Sequence, residues 1–313
     1  MSPPHDPHRA RFVRGGARLA AAATVAAVTG GRVRAAPASP AAAAMATRPI
    51  PSSGERLPVV GCGTWIGFDV AAGSPARAAL DGVVDALFAA GGRVLDSSPM
   101  YGRSEAVAGE LIAARPERAF VATKVWTSGR AAGLAQMEES LRLLHRVDLM
   151  QVHNLLDWKT HLATLRAWKA QQRIRYVGVT HYTSSAYREL EAVLRAEPLD
   201  FVQVNYALDD REAEARILPL AAERGIAVLV NRPFGGGGLL RRLSGRPLPS
   251  WAADLGASTW SQVLLKFVLS HPAVTCAIPG TGNPGHMAEN AAAGVGNPPD
   301  RAFWRDKIDA VTG

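Results

Sequence analysis

The chain has 313 residues, 48% hydrophobic and 20% charged, a balance that excludes a disordered or fibrous protein and suffices for one large barrel or two ordinary domains. A net charge of +8 would fit a polyanion partner, but residues 1–46 hold six arginines against one aspartate, so most of the excess lies there. The remainder is mildly basic and has no Lys/Arg run interleaved with aromatics, so no nucleic acid is expected as a partner. Two cysteines, Cys62 and Cys276, make neither a disulfide framework nor a metal cluster, and no metal is expected.

Taken in chain order, the first segment reads as a leader. Residues 9–18 carry four arginines, residues 19–31 are apolar and uncharged, and Ala/Pro-rich sequence continues to Ala46. This n-, h- and c-region order predicts a signal-peptide-like leader over 1–46, handled by export machinery, with the mature protein periplasmic or extracellular. The apolar run is shorter than the roughly 20 residues a bilayer requires, so no membrane span is expected. The segment Arg9 to Arg14 resembles a twin-arginine signal, with Ala10 where the second arginine of the pair would stand. The triplets Ala36 to Ala38 and Ala44 to Ala46 offer small-x-small cleavage points. The alternatives are a disordered Ala-rich tail, or an over-extended start upstream of Met45.

Beyond residue 56, short apolar runs alternate with helical patterns, which predicts βα units and a parallel sheet. Eight strand candidates run near Val59 to Thr64, Arg93 to Ser97, Ala119 to Val125, Val147 to His153, Tyr176 to Thr180, Phe201 to Asn205, Ile226 to Asn231 and Val274 to Ile278. Helical patterns between them include Ala76 to Ala90, Leu134 to Leu144, Leu162 to Gln172, Tyr187 to Arg195 and Glu212 to Arg224. No solenoid repeat or linker interrupts them, so residues 47–313 read as one domain. Counting alone leaves an open doubly wound sheet as the alternative. Chemistry-bearing residues at several strand ends favour a closed α/β fold, a (β/α)8 TIM barrel of parallel strands, because a barrel converges the C-terminal ends of several strands on one mouth. Cys62 and Cys276 would then lie on the first and last strands, which are neighbours, as a candidate bridge or as two buried small hydrophobes.

Lys124 ends an apolar strand in a chain with only five lysines and needs a carboxylate beside it, for which the strand-end Asp96 is placed. Tyr101 beside that cation is expected to have its pKa pulled below about 10 and to serve as a general acid. His153 closes the fourth strand. Taken singly, Lys124 is an ordinary ion-pair partner and His153 a core histidine; at successive strand ends they read as one catalytic set.

These residues sit in motifs that resemble the aldo-keto reductase superfamily over nearly all of residues 47–313. The motifs are Gly61 to Trp65; the run Asp96, Ser97, Ser98, Pro99, Met100, Tyr101, Gly102; Thr123 and Lys124; Gln151 to Asn154, reading QVHN; Gly178 to His181, reading GVTH; Gln203 to Tyr206, reading QVNY; and Ile278 to Asn290. The resemblance implies hydride transfer from a nicotinamide coenzyme to a small-molecule aldehyde or ketone, with Asp96, Tyr101, Lys124 and His153 as the catalytic tetrad. It implies a substrate pocket of Trp65, Tyr101, Trp126 and His153, open and shallow because the capping loops are short. For the coenzyme it implies Gly63, Thr64, Trp65 and Asp96, then Thr180, His181 and Gln203 beside the nicotinamide carboxamide. Asn231, where many members stack a tyrosine, leads into Arg232, Phe234 and Gly235. Gly280, Thr281 and Asn283 open a helix whose amides face the adenosine phosphate, with His286, Glu289 and Asn290 nearby. NADPH is the coenzyme implied, with NADH as the alternative because Gly280 and His286 replace the family's usual cations. The protein is expected to act as a monomer. Two other functions fit parts of the pattern: a nicotinamide-nucleotide-binding regulatory or sensor protein with little turnover, and a phosphate-handling barrel isomerase or lyase, which leaves Tyr101 and Lys124 without a purpose.

Overall fold

A computed structural model of the chain describes residues 44–115 and 119–312, so the expected leader lies, up to residue 43, outside the described residues. The first strands among the described residues form a hairpin, β1 (Thr47–Pro49) and β2 (Arg56–Pro58). Then follow β3 (Cys62–Gly63), α1 (Pro75–Ala89), β4 (Val94–Asp96), α2 (Ser104–Ala113), β5 (Phe120–Val125), α3 (Arg130–Leu144), β6 (Leu149–His153) and α4 (Trp158–Ala170). The second half comprises β7 (Tyr176–Thr180), α5 (Tyr187–Ala196), β8 (Phe201–Asn205), α6 (Ile217–Glu223), β9 (Ala227–Asn231), α7 (Gly238–Leu243), α8 (Trp260–Leu269), β10 (Val274–Ala277), α9 (Pro284–Ala292) and α10 (Ile308–Thr312).

Strands β3 to β10 pair in sequence order and always in parallel. The circle closes where Val60 pairs with Ala277 and Gly63 with Gly280, and the Gly61 N–H donates to the Ala277 carbonyl at 2.8 Å. This is the expected (β/α)8 barrel, and the open-sheet alternative is excluded. Local signals set the helix starts: the Ser74 hydroxyl accepts from the Arg77 amide at 3.1 Å with Pro75 in the first turn, so α1 begins there.

Alternation of side chains then decides the two faces of the barrel wall. In β5, Phe120 and Ala122 point into the barrel, whereas Val121 and Val125 join the cluster packed under the helices. The same parity puts Leu149, Tyr176, Phe201, Ala227 and Leu229 inside and Met150, Val177, Val202 and Val228 outside. It also separates the cysteines: Cys62 packs in the helix-facing cluster and Cys276 in the barrel interior, so both thiols are buried and free although their strands are neighbours.

The N-terminal hairpin has no counterpart among the expected elements. Its Ile50 and Leu57, both fully buried, join the interior cluster with Val94, Phe120 and Tyr176, closing the barrel at the end opposite the strand C-termini. Just before it, Met45 is buried and bridges Val295, and the Ala46 amide donates to the Gly294 carbonyl at 2.8 Å, so the folded body includes the last residues of the expected leader. Among the described residues, no helix is long and apolar enough to cross a membrane.

Candidate active site

At the C-terminal ends of the strands the inward positions change from apolar to polar. The parity that buries Val94, Ala122 and Leu149 also turns Asp96, Lys124 and Gln151 inward, and that of Phe201 does the same for Gln203. These four side chains meet. Lys124 Nζ donates to Asp96 Oδ2 at 2.5 Å and to the Ser97 carbonyl at 2.6 Å, while Gln203 and Gln151 donate to Asp96 Oδ1 at 2.8 and 3.1 Å. Asp96 is 2% and Lys124 0% exposed, so this is a buried ion pair whose remaining lone pairs are satisfied, as such a pair requires. Gly178 makes the arrangement fit: a Cβ there would lie 2.9 Å from the Phe201 carbonyl oxygen and 3.1 Å from Gln151 Cγ.

Tyr101 stands over this layer, with Lys124 Nζ 5.2 Å from its ring centroid, and the His153 ring meets it edge-on at 5.9 Å. Its acidity departs from expectation. Burial raises the phenol pKa by more than Lys124 lowers it, so the group is a weaker acid than free tyrosine. Burial by itself would depress the Lys124 ammonium, yet Asp96 and then Tyr101 hold it above the ordinary lysine range. The two directions agree on one resting state, a charged lysine beside a neutral phenol. His153 is pushed down to about 2, first by burial and then by the charges of Lys124 and His181, so its ring is neutral. Its Nδ1 lies 3.0 Å from the buried Ser98 hydroxyl.

Behind the strand, Glu105 of α2 is buried and accepts from Thr123 at 2.5 Å and Ser140 at 3.1 Å; burial raises its pKa.

Above these residues opens a cleft of about 1020 Å³. Asp96, Tyr101, His153, Gly63, Thr64, Trp65 and Trp126 line it, as do Thr180, Gln203, Asn231, Arg232, Phe234, Gly280, Thr281, His286, Glu289 and Asn290. Lys124 lies one layer beneath. Three further expected residues do not line the cleft. Asn283 caps α9, its Oδ1 accepting from the Gly285 and His286 amides at 2.8 and 3.2 Å. The His181 ring stacks on Tyr182, and its Nδ1 accepts from the amides of Tyr182 and Thr183, so Tyr182 faces the cleft in its place. Gly235 packs against Asp209.

The expectation of an open, shallow mouth also changes, because residues 232–261 wall one side with Phe234, Leu240 and Trp260. Trp65, Ile66, Met100, Trp126 and Tyr182 are the exposed large hydrophobics among the described residues, and all five line this cleft. Sequence reasoning misses Ser98, Gln151 and Gly178 as site residues, although each belongs to one of the motifs. The available signal is parity: Ser98 and Gln151 lie two residues from Asp96 and His153.

Among the described residues no cluster of His, Cys, Asp or Glu could hold a metal ion. A dinucleotide finds suitable groups. Asn231 Oδ1 is buried with no partner among the described residues, and Gly280, Thr281 and Gly282 line the cleft just before α9.

The sequence model of the Aldo/keto reductase family matches residues 59–303. The chain is similar to an uncharacterized oxidoreductase of Schizosaccharomyces pombe, 32% identical over 177 residues that cover 56% of this chain and 53% of that protein. It spans little more than half the length of the first curated relatives it matches, at 53%, 61% and 56%. Among solved structures it resembles an aldo/keto reductase from Klebsiella pneumoniae in complex with NADP and acetate, at 27% identity and a TM-score of 0.67, covering 82% of this chain and 92% of that one. An aldo-keto reductase structure from the same organism, in complex with NADPH, aligns at 26% identity with a TM-score of 0.69 over the same shares, 82% and 92%.

Proposed function

The chain belongs to the aldo/keto reductase family, and from that premise we propose that it reduces an aldehyde or ketone to the alcohol, using NADPH, with NADH as the alternative, and Tyr101 as the proton donor. The observation that carries this is the buried Lys124–Asp96 pair beneath a neutral tyrosine at the mouth of the barrel. Such a pair is hard to explain as a stabilising device, since two buried charges seldom outperform apolar packing. It is well suited to stabilising a phenoxide that forms when Tyr101 gives up its proton.

When bound, the coenzyme supplies the hydride. Asn231, Arg232 and the residues from Gly280 to Asn290 that line the cleft would hold it. Everything else falls to the protein. Tyr101 and His153 donate hydrogen bonds to the carbonyl oxygen, where negative charge develops. Tyr101 then passes its proton to that oxygen. Lys124 stabilises the phenoxide left behind, and Asp96, held by Gln151 and Gln203, keeps Lys124 charged and in place. The raised phenol pKa makes this cation the more necessary, because burial works against the anion. The exposed aromatic and aliphatic rim favours carbonyls carrying an apolar body. An intact acid–base set argues against a binding protein with little turnover. The same reading includes a monomer, exported with its leader and acting outside the cytoplasm; fractionation that finds only full-length protein in the cytoplasm would contradict export.

The decisive experiment follows the absorbance of NADPH, and then NADH, against a panel of aldehydes and ketones, with Tyr101→Phe alongside. Wild-type turnover and a loss of about 10²-fold or more in the variant are expected. No turnover by the wild type overturns the reductase reading, and an undiminished Tyr101→Phe overturns the role of the tyrosine.

A further inference from the structure

His153 is flanked by Trp126, with ring centroids 6.4 Å apart, by Tyr101, and by the Ser98 hydroxyl at its Nδ1. A neutral imidazole carries one proton, and which nitrogen bears it is set by the partner of the other. Ser98 is fully buried in the turn after β4, and His153 is the one hydrogen-bond partner of its hydroxyl among the described residues. If Nδ1 carried the proton and donated to Ser98, the serine O–H would be left buried without an acceptor, an arrangement disfavoured by roughly 1 to 3 kcal/mol. If instead the hydroxyl donates to Nδ1, both groups are satisfied and the ring proton resides on Nε2. Among the described residues no hydrogen bond engages Nε2, and His153 lines the cleft.

We propose that Ser98 is a positioning residue that holds His153 in the Nε2-protonated tautomer, so that the ring is a standing hydrogen-bond donor to the cleft. The part of this concerning a carbonyl oxygen rests on the reductase reading; the tautomer does not. The assignment divides the labour at the mouth. Tyr101 is the group that gives up a proton, and His153 orients and polarises the oxygen without changing its own protonation. A histidine in the other tautomer would present a lone pair to the oxygen and repel it. Ser98 acts entirely through the ring, as an orienting partner acts on a catalytic imidazole elsewhere.

The test uses the full-length chain, labelled with 15N at its histidines, with the His153 signals identified by their loss in His153→Gln. The wild-type spectrum should show a protonated Nε2 and an unprotonated Nδ1, unchanged between about pH 5 and about pH 8. Ser98→Ala removes the donor and Ser98→Cys weakens it at nearly constant volume. Ser98→Ala should give a mixed or inverted tautomer and a kcat about tenfold lower with KM for the coenzyme unchanged, and Ser98→Cys should fall between it and the wild type. A protonated Nδ1 in the wild type overturns the proposal, as does a Ser98→Ala spectrum identical to the wild type. Absence of turnover in the wild type would instead remove the reductase reading, and the spectra would still decide the tautomer.

Discussion

Removing one member of the buried ion pair should be far more damaging than removing the hydroxyl above it. Asp96→Ala leaves a fully buried ammonium without its carboxylate, which should lower stability by about 3 to 5 kcal/mol in a urea titration. Tyr101→Phe should stay within about 1 kcal/mol of the wild type while losing turnover. Equal stability of the two variants would mean that the Lys124–Asp96 contact is not desolvated as described.

The acid–base behaviour has a definite sign. The His153 ring is pushed down to about 2 in the folded state, whereas an unfolded histidine takes up its proton near about 6.5. The stability it contributes is therefore fully present above about 6.5 and declines as pH falls below that value. His181 and His271, also depressed by burial, add in the same direction. Urea midpoints measured from about pH 7 to about pH 4 should fall, and more gently in His153→Gln. For Tyr101 the raised pKa implies reduction rates that stay flat through neutral pH and decline only above about 10.

At the scale of elements, the polar layer depends on a gap in the wall of β7. Gly178→Ala would place a methyl group 2.9 Å from the Phe201 carbonyl oxygen and 3.1 Å from Gln151 Cγ, with no flexible neighbour to yield on the backbone side. Overpacking of this kind destabilises by about 1 to 3 kcal/mol. It should also lift Gln151 from Asp96, so activity should drop in excess of any stability loss; a fully active variant would show that Gln151 is dispensable.

All eight barrel strands were legible within a residue or two at most ends, because they fall in short, largely apolar runs separated by turn and helix patterns, and the longer helices were legible from their apolar period. The hairpin of β1 and β2 was not, since its strands of three residues contain Pro49 and Pro58 and lack any alternation. What makes them a hairpin is the apolar hole at the barrel end that Ile50 and Leu57 fill, which exists only once the barrel has closed.

At the scale of the whole molecule, closure between β3 and β10 brings the first and last barrel strands together without bringing their cysteines together. A reductant should leave the thermal midpoint unchanged, and a thiol reagent should find two reactive groups only after unfolding, since burial pushes the Cys62 thiol up to about 12 and Cys276 higher still. A lowered midpoint on reduction would indicate a bridge and a different register of closure.

The sequence by itself determined the kind of fold and singled out Asp96, Tyr101, Lys124 and His153, which the structure brings together at the strand ends, because alternation and strand-end motifs are local patterns that survive being read one segment at a time. Tertiary structure decided which residues face the cleft: Asn283 is consumed as a helix cap, His181 turns away, and Ser98, Gln151 and Gly178 enter the site through neighbours that lie 23 to 55 positions distant in the chain. It also decided the acidity of Tyr101. The charge of Lys124 is evident from its letter in the sequence, but the loss of water around the phenol is a property of the closed barrel, and that loss is the larger of the two effects.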